Sequence, residues 1–223
     1  MPAVEYTPGR WADVVGDPAT APVLLWHGTQ TDARATLAPL AALLAEAGFG
    51  VVVPDWDSHA ADRGRADLLR SVDYVRSLSS DPPALVGWSL GGTAAAGLTL
   101  HAADHGVVLR HTVCLAGAFT ATDPISGTEP APAEPVGAPM TLLHGTADDV
   151  VPVQVSRTFA AALAAVGWPV RVVELDTDHG AIAGARYDPA ADRYFPAADP
   201  GTQRVAGEVA GHIATALGGP PAG

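Results

Sequence analysis

Three short stretches carry residue types that can do chemistry together. In ALVGWSLGGTAAA, residues 84–96, Ser89 stands between Gly87 and Gly91 where an apolar run gives way to an alanine-rich one. In LLHGTADDVVP, residues 142–152, an apolar run enters a turn bearing Asp148 and Asp149. In ELDTDHGAI, residues 174–182, another run ends in a turn bearing His179. A serine hydroxyl is a weak nucleophile until a base takes its proton, and an imidazole base needs a carboxylate to orient it. The order serine, aspartate, histidine, each just past an apolar run, fits that arrangement. The chemistry it predicts is acyl transfer through a covalent acyl-serine.

The glycines around Ser89 have a steric purpose. A strand that turns sharply into a helix holds the serine in a strained backbone conformation, and a side chain at Gly87 or Gly91 would strike the neighbouring strand or helix. The turn lifts the hydroxyl clear of the sheet and sets it at a helix N-terminus, where free N–H groups favour negative charge. GxSxG alone is a loose pattern; the strand before it, the helix after it and the two later turns make it specific. Asp148 and Asp149 are both placed to orient His179. Asp176 and Asp178 lie too close to it in sequence to reach behind its ring.

The elements that must position these residues read as an alternation. Continuous apolar runs at Pro22–Trp26, Phe49–Pro54, Ala84–Trp88, Thr112–Gly117, Met140–Gly145 and Val170–Leu175 suit strands buried on both faces. Helical spacing occupies Thr36–Ala47, Arg65–Leu78, Leu90–His101, Val153–Val166 and Gln203–Leu217, and Ala3–Tyr6 and Arg10–Val15 add edge strands. The fold class is therefore α/β, with a mostly parallel central sheet and helices on both faces. Ligands of such sheets bind beyond the carboxyl ends of the strands, where all three turns fall. Phe119–Pro139 and Ala181–Gly201 read as long loops, and the tail from Gly218 to Gly223 as frayed.

Composition narrows the function classes. The 223 residues fit one domain spanning 1–223. Net charge is −12, and all 12 basic residues are arginine. That balance argues against a nucleic-acid partner and against an anionic membrane. The lone Cys114 excludes a disulfide framework within the chain and a cysteine-built zinc cluster, and fits a reducing, cytoplasmic setting. The start MPAVEYTPGRW lacks the basic and apolar segments of a signal peptide, and no apolar run is long enough to span a bilayer. A nucleotide-binding reading fails because GWSLGG lacks the GxGxxG spacing and no GK[ST] occurs.

Over nearly its whole length the chain resembles the α/β-hydrolase superfamily. LLWHGT is similar to its oxyanion-loop strand, VGWSLGG to its nucleophile elbow, HGTADDVVP to its acid turn and DTDHG to its histidine loop. The resemblance implies Ser89 as nucleophile, His179 as general base and Asp148 as orienting acid, because the HGxxD spacing counted from His144 lands on Asp148. It implies an oxyanion hole made by the backbone N–H groups of Leu90 and Thr29, with Gln30 as an alternative to Thr29. His27 and His144 are then structural. No cofactor and no metal are needed. The size is that of compact dienelactone-hydrolase-like and carboxylesterase-like members, and so short a stretch at 119–139 leaves no room for a large cap domain. An open site of this kind suits small or flexible acyl esters as substrates. Thioesterases, acyltransferases and small peptidases use the same triad; a catalytically silent scaffold would be expected to lack one of its members.

The substrate pocket is less legible. Trp88, Trp56 and Tyr187 are candidates, with Tyr194 and Phe195 in the same late loop as Tyr187. Asp55, Asp57, Asp62 and His59 cluster beyond a strand end, where a solvated loop or helix cap is the plainer reading than a metal site. Oligomeric state has no signature in the sequence.

Overall fold

The computed structural model describes residues 3–132 and 137–219. Its elements in chain order are β1 (Ala3–Thr7), β2 (Arg10–Val15), β3 (Pro22–Trp26), α1 (Ala38–Glu46), β4 (Gly50–Pro54), α2 (Arg65–Leu78), β5 (Ala84–Trp88), α3 (Leu90–Leu100), β6 (His111–Leu115), β7 (Met140–Gly145), α4 (Gln154–Ala165), β8 (Val170–Leu175), β9 (Ala185–Asp188), β10 (Arg193–Pro196) and α5 (Pro200–Ala216). Eight strands form one sheet in the order β1-β2-β4-β3-β5-β6-β7-β8. β3 to β8 run parallel, and β1 and β2 join antiparallel at one edge.

The uniform apolarity of the central strands follows from their cover. β3, β4 and β5 are buried at every position. Alternate residues serve opposite faces. Leu24, Trp26, Leu85, Cys114 and Leu142 pack with Leu68 and Val72 of α2, Leu98 of α3 and Phe159 and Leu163 of α4. Val23, Leu25, Val86, Val113 and Leu143 pack with Leu40 and Leu44 of α1 and Val209 and Ile213 of α5. Burial in such a layer is worth about 25 cal/mol per Å² of apolar surface. No helix among the described residues is long and apolar enough to cross a membrane.

Several boundaries differ from the sequence reading. The helix expected over Thr36–Ala47 opens as a 3-10 turn, Arg34–Leu37, and becomes α-helical at Ala38, with Pro39 in its first turn. α5 starts at Pro200, ahead of the expected Gln203, because the Asp199 carboxylate caps it by accepting the Thr202 amide at 2.9 Å. The stretch Ala181–Gly201 is not a loop. It holds a 3-10 turn, Ala181–Ala183, and the antiparallel hairpin β9–β10, which pairs Tyr187 with Tyr194. The described part of Phe119–Pro139 carries neither helix nor strand, as expected, and residues 133–136 lie outside the described residues. Of the expected frayed tail, residues 220–223 also lie outside them.

Candidate active site

The turn after β5 has the strained geometry anticipated for it. Ser89 adopts φ 57° and ψ −121°, a conformation that L residues rarely hold. Its amide donates to Leu115 O of β6 at 2.9 Å and its carbonyl accepts the Thr93 amide at 3.1 Å, so both neighbouring elements enforce the bend. A Cβ at Gly87 would collide with the Gly91 backbone, and one at Gly91 with the carbonyl of His27. These two glycines let β5, α3 and the end of β3 meet at van der Waals distance.

Asp148 and His179 arrive from the carboxyl ends of β7 and β8. His179 Nε2 lies 3.0 Å from Ser89 Oγ, and His179 Nδ1 lies 2.7 Å from Asp148 Oδ2. Asp148 Oδ1 accepts the Val150 and Val151 amides at 2.9 and 2.8 Å. Burial alone would raise the Asp148 carboxyl, but hydrogen bonds from His144, His179 and the Val151 amide outweigh it and hold the group well below the usual carboxylate range. An ionised carboxylate only accepts, so the imidazole proton resides on Nδ1 and the Nε2 lone pair faces the serine. The histidine is fixed from two further sides: the Trp88 indole N–H donates to its carbonyl at 2.8 Å, and Asp178 Oδ1 accepts the Gly180 and Ala181 amides just after it. Asp149 is exposed on the rim, away from this chain of bonds.

The loop after β3 passes over the serine. A Cβ on Gly28 would stand 3.3 Å from that of Ser89, and Thr29 and Ser89 line the same cleft of about 480 Å³. Among the described residues the Thr29 and Leu90 amides have no protein acceptor. Ser58 Oγ holds the Thr29 carbonyl, and Thr31 Oγ1 donates to Asp57 Oδ1 at 2.8 Å. Gln30 makes its contacts through its side chain: its carboxamide bonds both the N–H and the C=O of Tyr194.

The two extra histidines are buried within the framework. His27 donates from Nδ1 to Gly28 O at 2.9 Å and accepts the Ala33 and Trp56 amides at Nε2. Complete burial pulls its pKa down to about 3, against a raising effect from the Gly28 bond, and keeps the ring neutral. His144 Nε2 donates to Val151 O at 2.8 Å and lies 3.3 Å from Asp148 Oδ2, while its Nδ1 accepts from Ser156 Oγ.

Of the pocket candidates, Trp88 and Tyr187 line the cleft that contains Ser89. Trp56 does not. It is fully buried beneath His27, stacked on its ring at 5.4 Å, and its indole N–H donates to the His27 carbonyl. Tyr194 lines the cleft, whereas Phe195 is exposed and is not part of its lining. The acidic cluster is used in local bonds: Asp55 pairs with Arg34, Asp57 accepts the Thr31 hydroxyl, and Asp62 accepts the Gly64 and Ala66 amides. Sequence reasoning named Gln30 only for its backbone N–H and did not name Ser58; neither polar side chain has a local pattern that would single it out.

No protein-family model and no curated protein matches the sequence. Solved structures do resemble it. A thermophilic esterase from the planctomycete Thermogutta terrifontis, with propionate bound, superposes with TM-score 0.71 at 19% identity over 100% of this chain and 96% of that one. The butyrate-bound form gives 0.70 at 18% identity over the same shares. The same organism's esterase 2 phosphorylated by paraoxon gives 0.67 at 19% identity, over 94% of this chain and 89% of that one. With the strand order and the elbow, this likeness establishes the fold: the chain has the α/β-hydrolase fold.

Proposed function

We propose that the protein is a serine hydrolase that cleaves carboxylic esters of small or flexible acyl groups, the whole chain serving as one catalytic domain. The observation that carries this reading is the continuous hydrogen-bonded line from Ser89 through His179 to Asp148, set on a strained turn. The neighbours described as esterases, bound to propionate or butyrate or phosphorylated by paraoxon, support the same chemistry.

In this mechanism Ser89 Oγ attacks the ester carbonyl as its proton passes to His179 Nε2. Asp148 holds the imidazole tautomer and stabilises the imidazolium. The Leu90 and Thr29 amides bind the developing oxyanion, each donor being worth about 10²–10³ in turnover. The tetrahedral intermediate collapses as His179 protonates the departing alcohol. Water, deprotonated by His179, then attacks the acyl-serine, and the proton returns to Ser89 as the acid leaves.

The test is hydrolysis of p-nitrophenyl esters from acetate to palmitate by the wild type and Ser89→Ala. The expected result is turnover highest for short chains, with kcat lowered by up to about 10⁶ in the variant and the fold retained. Near-normal turnover by Ser89→Ala, or no serine-dependent turnover on any ester, would overturn the reading. A fluorophosphonate adduct on Ser89 would then separate a live nucleophile acting on another acyl class from an inert scaffold.

A further inference from the structure

Tyr194 stands where two clefts meet. The first, of about 480 Å³, holds Ser89 and Thr29; the second, of about 690 Å³, is bounded by Asp178, His179 and Gly180. Val150, His179, Tyr187 and Tyr194 line both, and of these Tyr194 is the ring in contact with the other three aromatic side chains around it, Trp88, His179 and Tyr187. Its ring meets Trp88 edge-on at 5.0 Å and lies 5.9 Å from His179 and 5.1 Å from Tyr187, centroid to centroid. Rings at these separations are in van der Waals contact, so no acyl chain passes between them.

The backbone behind this ring is held from outside its own hairpin. The Gln30 carboxamide accepts the Tyr194 N–H and donates to the Tyr194 C=O, standing in for a strand partner at the hairpin edge. Thr36 Oγ1 donates to the same carbonyl at 3.2 Å. Arg193 Nη2 donates to Thr31 O at 3.3 Å. The loop that carries the Thr29 amide and the hairpin that carries the ring are thus one joined unit.

We propose that Tyr194 is a specificity-determining residue that closes the acyl compartment and limits the acyl group to short chains, with Gln30 as its positioning residue. The proposal rests on the reading of Ser89 as the nucleophile of an ester hydrolase. The acyl group is carried on Ser89, which lines the first cleft and not the second. The acyl group then occupies the cleft beneath the Thr29 loop, and a chain that lengthens there ends against the Tyr194 ring. Removing the ring joins the two clefts and gives the longer chain a path.

The experiment keeps the leaving group constant and varies only the acyl group. Values of kcat/KM for p-nitrophenyl acetate, butyrate and octanoate are measured for the wild type, Tyr194→Ala, Tyr194→Phe, Gln30→Ala and Ser89→Ala. The expected result is an octanoate-to-acetate ratio raised at least about tenfold in Tyr194→Ala. Tyr194→Phe keeps the wall and therefore the wild-type ratio. Gln30→Ala moves the ratio in the same direction as Tyr194→Ala by a smaller factor, and remains informative if Tyr194→Ala does not fold. A merely structural role would lower all chain lengths by one factor and leave the ratio alone; that outcome in both variants, with serine-dependent turnover in the wild type, overturns the proposal and leaves the esterase reading standing. Absence of serine-dependent turnover in the wild type removes both.

Discussion

Replacing Asp148 by asparagine tests the orienting carboxylate with little change in shape. The asparagine Oδ1 still accepts the Val150 and Val151 amides, which the aspartate meets at 2.9 and 2.8 Å. The new NH₂ group then falls where Oδ2 stood, 2.7 Å from His179 Nδ1. A donor at that position favours the imidazole tautomer with its proton on Nε2, facing the serine, so the ring can no longer accept the hydroxyl proton. The imidazolium formed in the transition state also loses its counter-charge. Together these cost about 10⁴ in kcat, or about 5 kcal/mol of transition-state stabilisation. The assay is kcat and KM on p-nitrophenyl butyrate, with Asp149→Asn alongside. KM should change little, because the carboxylate does not touch the substrate. Asp149→Asn should stay within about twofold of the wild type, since that side chain lies on the exposed rim. The reasoning is refuted if Asp149→Asn shows the large loss and Asp148→Asn does not.

Further expectations concern stability. His27 binds no proton when folded until the pH falls to about 3, whereas the unfolded chain takes one near the ordinary histidine value of about 6.5. Its contribution is therefore complete above that value and is lost as pH falls from there toward 3. A histidine-resolved NMR titration should find the His27 ring neutral at pH 5; a midpoint near 6.5 would contradict its burial. Gly91→Ala drives a methyl into the His27 carbonyl and should destabilise by roughly 1–3 kcal/mol, lowering Tm by several degrees in a thermal scan. Gly207→Ala, in α5 with open space around it, should instead stabilise by about 0.5–1 kcal/mol; a fall in Tm would show that the site is not open.

What could be read locally was read from patterns with a physical cause. Strands buried on both faces must be continuously apolar, so β3 to β7 stood out within a residue or two of their observed ends. Ser89, Asp148 and His179 were legible because each needs a special turn: a glycine-flanked elbow for the serine, and short polar turns after strands for the others. The spacing from His144 pointed to Asp148, and the two neighbours differ in the structure: Asp148 is buried and bonded to His179, and Asp149 is exposed.

The rest depended on contacts between residues far apart in the chain. β9 and β10 are four-residue strands with mostly exposed side chains, which carry no hydrophobic period to betray them. They are set by pairing with each other and by Gln30, 164 positions from Tyr194. Trp56 and Trp88 both follow or end apolar strands, and only packing decides that one lies beneath His27 while the other faces Ser89. Sequence alone determined that Ser89, Asp148 and His179 fall in turns just past strand ends, because each such turn imposes a local residue pattern. The tertiary structure alone decided the shape of the space around them, because that space is bounded by side chains whose neighbours come from distant segments.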